Sequence, residues 1–109
     1  MKATLHHAVP AAAIPKRLPP IFRPLLDAKR LGTASVTLAV FPATSSAVVS
    51  AGAAQRLLAR LGDVSDPLVV VGYNFTQDAV EILQDASATL FAVSNFWWSD
   101  ARWQAIRQR

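Results

Sequence analysis

Three short apolar runs limit what this chain can fold into: TASVTLAVF at 33–41, PLVVVGY at 67–73 and ATLFAVS at 88–94. Each is rich in β-branched residues and nearly all apolar at its centre. That is the pattern of a strand buried on both faces, not one. Two stretches with a helical rhythm lie between them. Ala54, Leu57, Leu58 and Leu61 recur at i, i+3, i+4 and i+7, and Ala79, Ile82, Leu83 and Ala86 repeat the spacing. Thr44, Ser45 and Ser46 offer N-caps to the first helix, Gly62 closes it, and Thr76 caps the second. Asp78 falls in the first turn of that second helix, where the dipole favours a negative charge. Strands alternating with helices argue for a parallel sheet.

The flanks are less regular. Pro10, Pro15, Pro19 and Pro20 make 1–20 a proline-rich arm, extended or irregular, whose stretch at 3–9 can add an edge strand. A helix is expected after Pro20, with Phe22, Leu25, Leu26 and Lys29 on one face, ending at Leu31-Gly32. A last helix is expected from Ser99, with Asp100 in its first turn. The expected fold is a small three-layer α/β domain at 21–109. Its mainly parallel sheet of three or four strands forms a β-α-β-α-β core flanked by helices. Three strands are few for a sheet covered on both faces, so the arm, self-association or a larger protein partner is expected to complete it.

Composition narrows the function classes. Of 109 residues, 52% are hydrophobic and 17% charged, which calls for a tight core or an apolar surface covered by a partner. The absence of cysteine excludes disulfides and thiolate metal sites. Charge is uneven. Residues 1–62 carry eight Lys and Arg against Asp27 alone, a net +7, whereas 63–109 carry three Arg against six acids, a net −3. Such a basic half steers a chain towards acidic partners, nucleic acid included. No apolar run is long enough to span a bilayer. The first residues make a poor signal peptide, although they are acid-free up to Asp27 as an organelle transit peptide would be, and a cytoplasmic location is expected.

In open α/β sheets, ligands gather beyond the carboxyl ends of the strands. Here those ends supply Thr44, Ser45 and Ser46, then Asn74 and Thr76, then Asn95, each before a helix start that attracts anions. The same residues also serve as ordinary caps. No GxGxxG, GxxxxGK[ST] or GxSxG motif is present. His6 and His7 are the only imidazoles and lie in the arm, where adjacent side chains project in different directions. No carboxylate pair converges, so no catalytic centre, cofactor or metal is expected. The aromatic end NFWWSDARWQAIRQR supplies Phe96, Trp97, Trp98 and Trp103 as interface candidates, since Trp and Arg dominate protein hot spots. Arg23, Lys29, Arg30 and Arg102 are the nucleic-acid candidates.

Residues 53–100, with Phe75-Thr76-Gln77-Asp78-Ala79 at their centre, resemble the later half of restriction-endonuclease-like nuclease domains. In those domains a strand leads through an F-S/T-x-x-A turn into a helix and a further strand. The resemblance implies a nucleic-acid-binding domain. It implies no nuclease chemistry, because SVTLAVFPATS has neither the acid nor the lysine that the family's metal site needs there. The residues themselves point first to a non-catalytic assembly domain, a homo-oligomer or the subunit of a larger complex. It would use the proline-rich arm and the aromatic end. Nucleic-acid binding is the alternative, and small-anion or ligand binding at the strand ends is the second.

Overall fold

The three apolar runs form the centre of the sheet. The computed structural model describes residues 2–10, 13–18, 20, 35–42, 44, 47–62, 67–95 and 97–99, with the backbone alone at 15, 95 and 97–99. The order along the chain is β1 (Thr4–Pro10), α1 (Ile14–Arg17), β2 (Ser35–Val40), β3 (Val48–Val49), α2 (Ala51–Leu61), β4 (Leu68–Gly72), β5 (Asn74–Phe75), α3 (Gln77–Asp85), β6 (Thr89–Ala92) and β7 (Trp97–Ser99). A 3-10 turn at Val93–Asn95 separates the last two strands.

The main sheet has the order β1-β2-β4-β6-β7. β2, β4 and β6 run parallel, with Leu38 beside Val69 and Val70 beside Leu90. Every residue of β4 and β6 is buried, as is all of β2 after Ser35. This is the two-faced burial that the apolar runs predict. The protein is therefore a small α/β domain with a largely parallel sheet.

Both edges, however, are antiparallel, so the sheet is mixed. The reason at β7 is chain length. Only four residues separate Ala92 from Trp97, and a parallel crossover needs a dozen or more. Ser99, expected to cap a helix, instead pairs with Leu90 as a strand residue. The expected helix beyond it, and the one expected at 22–30, lie outside the described residues.

At the other edge, Thr4–Pro10 pairs with β2, as the stretch at 3–9 allowed. The proline-rich segment also contains a helical turn that its prolines did not predict. Ile14–Arg17 is helical because Pro15 sits in the first turn, where its missing N–H costs nothing. Ile14 and Leu18 are buried against Val36, Leu38, Val69 and Val71.

The two long helices cover the opposite face. Ala53, Ala54 and Leu57 of α2 and Ala79 and Leu83 of α3 pack on Ala39, Phe41, Val70 and Leu90. Each fully buried Leu or Val contributes about 1.5–3 kcal/mol. Leu58, Leu61 and Ile82 of the predicted stripes are half-buried at the margin of this cluster, whereas Ala86 is exposed where α3 has ended. The predicted caps are also corrected at α2. Its N-cap is Ser50, whose hydroxyl accepts the Ala53 N–H at 3.2 Å. Thr44, Ser45 and Ser46 precede β3, which intervenes because Val48-Val49 extends to pair with β5. Thr76 caps α3 as expected, accepting from Ala79 N–H at 3.2 Å.

Candidate anion-binding cleft

The polar residues beyond the strand ends are largely used by their own backbone. The Thr44 carbonyl accepts the Ala47 N–H at 2.9 Å, and the Thr44 side chain is exposed. Asn74 Oδ1 accepts the N–H of Phe75 at 2.9 Å. Thr76 donates its N–H to the Val49 carbonyl at 3.0 Å while its hydroxyl serves as the cap. These bonds, with the β3–β5 pairing, stitch the two strand-to-helix connections together over the end of the sheet. Gly72 permits the close approach. A Cβ there would stand 3.1 Å from Val49 Cγ2 and 3.3 Å from Phe75 Cζ. Ser45 and Ser46 lie outside the described residues, and Asn95 is placed by its backbone alone in the 3-10 turn.

A cleft opens beside this rim, at the edge of the sheet. Its volume is about 210 Å³. The antiparallel register sets Thr4 against Val40, which brings Lys2 and Ala3 next to Phe41, just past the carboxyl end of β2. Phe41 is held there because its N–H donates to the Val71 carbonyl at 2.8 Å. Helix α2 supplies the other wall. Ala3, Phe41, Ala53 and Leu57 are buried and form an apolar floor, and the exposed Lys2, Arg56 and Arg60 complete the lining.

Among the described residues, the lining holds three cations and no acid. Arg56 and Arg60 are one helical turn apart, a spacing at which like charges repel. The positions of both side chains are informative. Arg60 Nη1 donates to the Ala3 carbonyl at 2.9 Å, which ties α2 to the start of β1 and fixes one guanidinium at the cleft. Arg56 folds back over the first turn of α2, its Nη1 3.2 Å from where a Cβ on Gly52 would stand. That turn carries no acidic residue. A cation therefore lies near the positive end of a helix, an arrangement that a bound anion would relieve.

The remaining sequence candidates do not join this cleft. Trp97 and Trp98 are placed by their backbone in β7, opposite Ala92 and Phe91, at the far edge of the sheet. Four strand spacings, roughly 19 Å, separate that edge from β1. Phe96, Trp103, Arg23, Lys29, Arg30 and Arg102 lie outside the described residues. Sequence reasoning counted Lys2, Arg56 and Arg60 only within the basic half. The signal for the pair was present in α2 itself, two arginines at i and i+4 in a helix without an acid. Lys2 joins them only through the non-local pairing of β1.

Among the described residues, no group of three or more His, Asp or Glu side chains is placed to hold a metal ion. No helix among them is long and apolar enough to cross a membrane. No family model matches this chain, and no curated protein or solved structure matches it either.

Proposed function

We propose that this domain is a non-catalytic binding module whose ligand carries an anionic group, held at the cleft between β1 and α2. One observation carries the reading. Lys2, Arg56 and Arg60 line one concave site, and none of the described residues in its lining is acidic. The cleft is smaller than the roughly 300–1,000 Å³ usual for whole small-molecule ligands, which favours the end group of a ligand over a complete cofactor. We read the architecture around it as three layers on a β-α-β-α-β core, with β1 added as the edge that completes the site.

Thermal unfolding in a series of sodium salts tests this reading. A ligand that binds only the folded chain stabilises it by about 2.7 kcal/mol at a hundred times its dissociation constant. Phosphate and sulfate also stabilise proteins through exclusion from their surfaces, so the variant is the control. The gain from millimolar phosphate over chloride is expected in the native chain and lost in Arg56→Gln. Equal gains in both would contradict the proposal.

A second reading is assembly through the opposite edge. It is favoured by the place of Trp97-Trp98-Ser99 as the outermost strand among the described residues. Aromatic residues at a strand edge suit pairing with another chain. Light scattering at low and high salt, with and without a mixed oligonucleotide, tests it. A salt-resistant dimer indifferent to the oligonucleotide supports this reading, and a monomer under all conditions contradicts it.

A further inference from the structure

We infer that the anion is the terminal phosphate of a monoester, its oxygens shared by Arg56, Arg60 and Lys2 and its first ester carbons lying against Phe41 and Leu57. This inference rests on the anion-binding reading and gives it a chemical class. Three observations support it.

The first is the geometry of the donors. Arg56 and Arg60 approach from adjacent turns of one helix, where Cβ atoms stand about 5–6 Å apart, and Lys2 comes from a different element. A carboxylate has two oxygens in one plane and is satisfied by a single guanidinium fork. A phosphate monoester presents three terminal oxygens in a tetrahedron, so two forks and an ammonium can each take a share.

The second is charge. Three cations, with no acid among the described lining residues, leave an excess that a monoester, at about −1.5 to −2 near neutral pH, offsets better than a carboxylate or a phosphodiester at −1. The third is preorganisation. Arg60 spends one N–H on the Ala3 carbonyl, which orients the guanidinium and leaves its other donors for a ligand. The apolar floor is nearly closed, with Phe41 and Leu57 both 2% exposed. It therefore offers contact for a few carbons and not a slot for a base. The rest of the ligand extends into solvent.

Calorimetric titration of the 109-residue chain at low salt tests the inference. The probes are phenyl phosphate, methyl phenyl phosphate and benzoate, which share a ring and differ in the anion. Phenyl phosphate is expected to bind about tenfold or more tightly than the other two, the worth of one charged hydrogen bond. Arg56→Gln and Lys2→Gln are each expected to weaken it by a similar factor. Neither residue ties elements together as Arg60 does, and a preserved circular dichroism spectrum establishes that each variant is folded. Benzoate binding as tightly as phenyl phosphate would overturn the inference while leaving an anion site intact. No binding by any of the three would overturn both. A pair of otherwise identical short oligonucleotides separates the two sources of a monoester. Tighter binding of the 5′-phosphorylated strand than of the 5′-hydroxyl strand supports a terminal phosphate on nucleic acid. Equal and weak binding of both, beside tight phenyl phosphate, supports a small ester. Equal and tight binding of both assigns the site to backbone diesters and overturns the inference.

Discussion

Thr37 is a threonine in a wall of aliphatic side chains. It is 1% exposed, and its Oγ1 has no hydrogen-bond partner. A buried hydroxyl without a partner forfeits about 1–3 kcal/mol of hydration. Its neighbour across the sheet explains the irregularity. His6 pairs with Leu38 and Val9 with Val36, so His7 and Ala8 both stand opposite Thr37 in a β-bulge. Ala8 takes a φ of 52°, the left-handed position that a bulge of this kind usually gives to glycine. Thr37→Val is therefore expected to raise the unfolding free energy by about 1 kcal/mol in a urea titration. Ala8→Gly is expected to raise it by about 0.5–1 kcal/mol, because it relieves the left-handed strain at some cost in unfolded-chain entropy. A loss of stability in either variant would contradict a strained bulge opposite Thr37. Neither feature was legible in the sequence. Alanine announces no left-handed turn, and Thr37 looked like any β-branched strand residue.

At the level of elements, legibility followed burial. β2, β4 and β6 were readable because both of their faces are covered, which leaves an unbroken apolar run. Helices α2 and α3 were readable from one stripe each. The shorter elements were not. Val48-Val49 and Asn74-Phe75 are two-residue strands whose pairing partner is distant in sequence, and α1 is a single turn. Missing β3 moved the predicted start of α2 back to Thr44–Ser46, when Ser50 does the capping. Ser50→Ala and Thr76→Ala should each cost about 1 kcal/mol in thermal or urea unfolding. The β3–β5 clasp gives a further test. Gly72→Val would drive its side chain into Val49 and Phe75 and is expected to destabilise by about 1–3 kcal/mol. Gly62, at φ 59° just past α2, is expected to cost about 1 kcal/mol when changed to Ala.

For the whole molecule, the sense in which the strands advance decides where a site can form. β2, β4 and β6 follow one another in one direction across the sheet, and α2 and α3 lie on the same face, as crossovers of one hand require. Nucleotide crevices of doubly wound sheets form where the strand order reverses. Here the order does not reverse among the described strands, and the β3–β5 clasp occupies the space above their ends. The concave site appears instead at the edge, where antiparallel β1 meets α2. This cleft lies just past the carboxyl end of β2, whereas Thr44, Asn74 and Thr76 stand on the rim beside it. The apolar excess has an equally concrete place. Among the described residues, Val48 is the only large hydrophobic side chain that is exposed, at 40%. Most of the buried hydrophobic residues among them fall into two clusters, one on each face of the sheet. The charge imbalance between the halves, by contrast, gathers at the cleft three of the cations that the sequence could only count.

The most direct test is to ask which residues feel an anion. The chain would be labelled with nitrogen-15 and titrated with sodium phosphate at low ionic strength, and its amide and arginine side-chain resonances followed. Saturable shifts are expected at Ala3, Phe41 and the 51–60 helix alone, with the largest movement at the Arg56 and Arg60 guanidinium signals. Shifts centred on Asn74, Thr76 and Ser94 would contradict the anion cleft, because they would place the anion on the rim of the sheet. Shifts that grow linearly with salt across the whole surface would contradict it too, because they would mean that the three cations share no ligand.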